Sequence, residues 1–113
     1  MISSVIRFPL LVTLLSLGFL APALANEKVA VFLENHCLDC HDRESAKGDL
    51  VLEDFHRKQD LRTLFDVYDQ AILEYMPPEK KKQPTTEERK AFVDQLEEML
   101  KAKGHDRKAM AGY

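Results

Sequence analysis

Tryptophan is absent from this 113-residue chain, glycine occurs four times, and there are only two cysteines, both within residues 37–41. With no second Cys/His pair elsewhere, a structural zinc site lacks the four ligands it needs. A basic excess is also missing: 16 Lys and Arg stand against 19 Asp and Glu, a formal net charge of −3. That balance argues against nucleic acid as a partner, which requires a basic footprint. No internal repeat, glycine-rich phosphate loop or nucleophile triad is present. No βαβ pattern surrounds the cysteines, as a thioredoxin-like pair would require. The apolar run Phe8–Leu20 has about 13 residues, short of the roughly 20 that a membrane span takes.

What the chain does have is Cys37-Leu38-Asp39-Cys40-His41. C-x-x-C followed at once by His is the pattern of c-type haem attachment. On a helix, residues three and four apart share a face. Cys37 and Cys40 can each form a thioether to one porphyrin vinyl group, and His41 then reaches the iron from the same face. A disulfide between the same two cysteines would close a very short loop and stabilise little.

The N-terminus carries Arg7, then the apolar run, then Ala23-Leu24-Ala25 as a small-residue cleavage site. Residues 1–25 read as a cleaved secretory signal, with an uncleaved anchor as the alternative. Export suits a protein matured outside the cytoplasmic membrane, and it predicts a periplasmic location. Arg7 is the only charged residue before position 26, so 15 Lys and Arg then face 19 Asp and Glu, a net charge of −4. A domain this small usually needs a staple or cofactor, and a buried haem would serve as one.

Past the signal, three main helices are expected. The first spans Glu27 to Cys40, with Val29, Phe32 and Leu33 on one apolar stripe. Residues 42–60 read as an irregular loop with one short ordered piece, with a turn at Lys47-Gly48-Asp49 and an apolar patch at Leu50-Val51-Leu52. The second helix spans Leu61 to Tyr75 after Asp60 as N-cap. Its expected stripe is Leu61, Leu64, Phe65, Tyr68, Ile72 and Tyr75. Tyr68 or Tyr75 could reach a haem propionate. Met76-Pro77-Pro78 follows, and Pro77 disfavours helical geometry at Met76. A thioether at a stiffened bend, remote from the attachment motif, suits a sixth iron ligand. The competing fate is a gap-filling core methionine. His56, His105 and Met110 are weaker candidates for that ligand. Lys80, Lys81 and Lys82 are either a solvated loop or a basic rim for an acidic redox partner. Thr85 with Glu88 makes a capping box that opens the third helix, which runs to about Lys103 ahead of Gly104. Phe92, Val93, Leu96, Met99 and Leu100 line its apolar face. Residues 105–113 read as a flexible tail.

Cys37-x-x-Cys40-His41, Gly48-x-Leu50-x-Leu52, Met76-Pro77-Pro78 and Pro84-x-x-Glu87 appear in the order that resembles a class I c-type cytochrome. More closely, they resemble the planctomycete-type cytochrome c domain, over about residues 31–101. The chain departs from that family in having no tryptophan. The resemblance implies an all-α, cytochrome c-like fold over residues 26–104, with three main helices around one covalent haem c. It implies axial ligands His41 and Met76 and one-electron transfer between exported redox proteins rather than an enzyme activity. Two other functions compete: a small haem enzyme or gas sensor with an open distal site, and a secreted dithiol oxidoreductase using Cys37 and Cys40.

Overall fold

The structure is a computed structural model that describes the backbone of residues 20–107 and the side chains from residue 26 onward. The apolar run up to Phe19, most of the expected signal segment, Met110 and the tail beyond Arg107 lie outside the described residues. Within them all regular structure is helical, in an all-α fold. In chain order the elements are α1 (Leu20–His36), α2 (Leu38–His41), a 3₁₀ turn (Lys47–Asp49), α3 (Phe55–Lys58), α4 (Leu61–Ile72) and α5 (Thr86–Ala102). No described helix is long and apolar enough to cross a membrane.

The expected first helix is two pieces. Cys37 adopts φ −125°, ψ −41°, and the ladder breaks there. The Cys37 N–H still donates to the Leu33 carbonyl, while the Cys37 carbonyl accepts from Cys40 and His41 N–H groups. The chain therefore turns on Cys37 and restarts as one tight helical turn that carries Cys40 and His41. α1 also extends back to Leu20, through the Ala23-Leu24-Ala25 run.

α4 begins where Asp60 accepts from the Thr63 N–H at 3.0 Å. It ends three residues before the expected Tyr75. Glu74 takes the left-handed conformation (φ 59°). The Tyr75 and Met76 N–H groups both donate to the Gln70 carbonyl, at 3.0 and 3.2 Å. The buried face also differs from the expected stripe. The buried set is Leu64, Val67, Tyr68 and Ala71, whereas Ile72 and Tyr75 are 46% and 64% exposed. The expected stripe is thus corrected at its C-terminal end. Ile72 lies one position past Ala71 on the helix, and Tyr75 lies beyond the helix altogether.

α5 forms with the capping box expected of Thr85 and Glu88, both bonds present at about 3 Å. It ends at Ala102 with Lys103 as C-cap, ahead of Gly104 at φ 84°, a conformation in which glycine carries no Cβ penalty. Phe92, Val93, Leu96, Met99 and Leu100 are buried as expected. α5 packs on α4 and α1, and α1 packs on α3. The Phe32 and Phe92 rings stack at 3.9 Å with a 9° interplanar angle, tying α1 to α5. Of the expected tail, residues 105–107 pack back on α4. The His105 ring meets Phe65 edge-on, and Arg107 pairs with Asp69 at 2.7 Å.

Candidate functional site

The gap between these helices is a cavity of about 390 Å³. One wall is the α1–α2 corner with Phe32, His36, Cys37, Cys40 and His41. Another is α4 with Val67, Gln70 and Ala71, continued by Met76, Pro77 and Pro78. Phe92 closes it from α5, and Leu50 and Leu52 from the loop. The four residues singled out for cofactor binding, Cys37, Cys40, His41 and Met76, therefore line one cavity. Folding brings them together from two separate stretches of chain.

The loop owes its shape to three consecutive-region residues in left-handed backbone: Ala46 (φ 37°), Gly48 (φ 64°) and Asp49 (φ 57°). After that turn the chain runs extended, so side chains alternate. Leu50 and Leu52 face the cavity while Val51 is exposed. The Leu52 N–H donates to the His41 carbonyl at 2.7 Å, which pins the loop to α2. The Leu50 carbonyl lies 3.3 Å from His41 Nδ1. A carbonyl only accepts, so this hydrogen bond needs the proton on Nδ1, the tautomer of a neutral ring that offers Nε2 to a metal. That second contact also orients the ring, the usual device behind a ligating histidine.

Cys37 and Cys40 are both half-buried free thiols. Burial pushes the Cys37 thiol up to about 12, an effect that the positive charge of Arg89 only partly offsets. A dithiol redox centre works through a thiolate held at low pKa. Cys37 is the opposite, a thiol kept protonated by an apolar setting.

Met76 is 40% exposed and borders the cavity. Its backbone is held at both ends: the N–H by the Gln70 carbonyl, and the carbonyl by Arg89 Nη1 at 2.8 Å. Pro77 beside it is buried. Lys81 and Lys82 reach the cavity rim, and Lys80 does not line it. His56 sits half-buried on α3, away from the cavity lining, so it is not placed as a distal group. Tyr68 donates its hydroxyl to Glu97 Oε1 at 3.0 Å, which engages it away from a propionate role. Tyr75 is exposed.

Three residues at the site were not singled out beforehand. His36 lines the cavity, sits 3.5 Å from Glu88 through Nε2, and keeps a buried Nδ1 with no partner among the described residues. Gln83 and Arg89 secure the loop after α4. Arg89 had a signal: it sits three, four and seven positions before Phe92, Val93 and Leu96, so a charge falls in line with the apolar stripe.

The arrangement fits a covalently held haem on several counts. Two free thiols and an oriented imidazole share one wall. The cavity is lined mostly by apolar side chains, and a thioether borders it from another segment. Among the described residues no group of three or more His, Cys, Asp or Glu side chains is arranged to hold a metal ion directly. Compared with protein-family models, with curated proteins and with solved structures, the chain finds no match.

Proposed function

We propose that this chain is a monohaem c-type cytochrome that carries single electrons between exported redox proteins. The observation that carries the reading is that Cys37, Cys40 and His41 from one stretch and Met76 from another, 35 residues after His41, line a single cavity. Cys37 and Cys40 would hold the group by thioethers, and His41 and Met76 would be its axial ligands. When bound, the haem supplies a one-electron couple between ferric and ferrous iron.

The protein's own residues do the rest. The Leu50 carbonyl keeps His41 in the tautomer that offers Nε2. Leu50, Leu52, Val67, Ala71 and Phe92 would present apolar surface to the bound group, lowering the dielectric on that side of it. A thioether ligand raises the potential relative to a second histidine. Lys81 and Lys82 at the rim suit an acidic partner that docks near Met76.

The test is to produce the chain with haem-attachment machinery. A mass gain of about 616 Da on the two thiols is expected, with a ferric absorption band near ~695 nm that marks sulfur ligation. Carbon monoxide binding at the ferrous iron without that band would favour a haem enzyme or sensor. A chain that gains no porphyrin and cycles between dithiol and disulfide would favour the oxidoreductase. N-terminal sequencing of the exported protein checks cleavage after Ala25.

A further inference from the structure

Among the described residues Arg89 is the only buried side chain that carries a formal charge, 9% exposed on the inner face of α5. Burying a guanidinium is costly, and an apolar side chain of similar volume often stabilises a fold as well or better. Its placement therefore asks what the planar fork does that a hydrophobe cannot. Nη1 donates to the Ala71 carbonyl at 3.0 Å and to the Met76 carbonyl at 2.8 Å. Nη2 donates to Gln83 Oε1 at 3.0 Å, and Nε lies 3.6 Å from the exposed Glu74 carboxylate. Gln83 Nε2 in turn lies within 2.9–3.2 Å of the Pro78, Pro77 and Lys81 carbonyls.

Arg89 thus joins the last buried turn of α4 to the carbonyl of Met76, and Gln83 joins Arg89 to the carbonyls of the next residues. The Met76 N–H is already committed to Gln70. Both backbone groups of Met76 are therefore held, and its side chain has little freedom beyond its own rotamers. A rigid fork suits this task because it reaches several acceptors from one preorganised plane. Lysine would supply the charge without that geometry.

We propose that Arg89 and Gln83 form a clamp that positions Met76 at the haem iron and denies the site to outside ligands. This rests on the haem reading above. Arg89 and Gln83 are positioning residues, since they touch the loop backbone and act through Met76.

Imidazole is the probe, titrated into the ferric haem-bearing protein. In Arg89→Lys the affinity for imidazole is expected to rise about tenfold, with a weakened ~695 nm band. In Gln83→Ala the rise is smaller, about threefold. Because the two residues share one network, the double variant falls short of the product of the two effects. Leu96→Ala, a fully buried position off the cavity, lowers the melting temperature and leaves imidazole affinity unchanged. This separates positioning from mere stability. If Arg89→Lys does not accumulate, Gln83→Ala at an exposed position decides the matter alone. A parent chain without attached porphyrin overturns the haem reading and the clamp together. A haem-bearing parent in which Met76→Ala binds imidazole no tighter overturns Met76 as ligand, and the clamp with it. A parent in which Met76→Ala tightens imidazole binding while Arg89→Lys and Gln83→Ala do not overturns the clamp alone.

Discussion

His41 Nδ1 and the carbonyl oxygen of Leu50 lie 3.3 Å apart, and this contact ties the loop to the imidazole. Leu50 reaches that position because the backbone reverses at residues 46–49, with Gly48 at φ 64°. A Cβ built on Gly48 meets nothing within 4 Å, so the demand there is conformational and not steric. Gly48→Ala is expected to cost about 1 kcal/mol in urea unfolding, through left-handed strain alone. A loss above about 3 kcal/mol would indicate a clash that the geometry does not contain.

On the proposed haem reading, Met76→Ala is expected to leave the haem attached, because attachment would run through Cys37 and Cys40. The reduction potential should fall, since the soft thioether is lost. Mass spectrometry and a potentiometric titration check both halves. An unchanged potential would move the sixth ligand to another residue.

Lys81 and Lys82 stand at the cavity rim, and Lys80 is exposed beside them. Replacing all three by Gln should flatten the ionic-strength dependence of electron transfer to an acidic partner while leaving the potential nearly unchanged. Steering by exposed charge is screened within about 8 Å at physiological salt. A slope equal to that of the parent would show that these lysines are only a solvated loop.

α4 and α5 each carry, at their N-terminus, a carboxylate that titrates low. The Thr63 backbone and hydroxyl bonds hold the Asp60 carboxyl below its ordinary range, and the Thr85 backbone bond, aided by His36, does so for Glu88. The unfolded chain therefore binds more protons than the folded one between the lowered and ordinary carboxylate values. Stability from these caps is complete above the ordinary value and is lost as pH falls through the lowered one. Urea midpoints measured from pH 7 down to pH 3 (roughly the span of these titrations) should drop less steeply in Glu88→Gln than in the parent. An identical pH slope would show that the capping box contributes nothing to acid sensitivity.

Local signals sufficed where the physics is local. The Thr85–Glu88 capping box, the Asp60 N-cap and the Gly104 stop depend on neighbours within a few residues, and each was readable; of the expected Leu50-Val51-Leu52 patch, Val51 is exposed. The apolar face of α5 was equally plain, because one helix of 17 residues keeps a constant period over its whole length. The C-terminal end of α4 was not. Its pattern continued through Ile72 and Tyr75, but the Gln70 carbonyl captured two successive N–H groups and Glu74 turned left-handed. Those choices are stabilised by Arg89, which lies 13 residues beyond Met76 and on another helix.

The sequence by itself determined the all-α class, the three long helical segments, and the grouping of two thiols and an imidazole at residues 37–41, because covalent spacing and helical period are written in adjacent residues. The tertiary structure alone decided that Met76 borders the same cavity, that His41 leans on Leu50, and that Arg89 is buried and not solvated. Each of these depends on which helix faces pack together, and no stretch of chain carries that information alone.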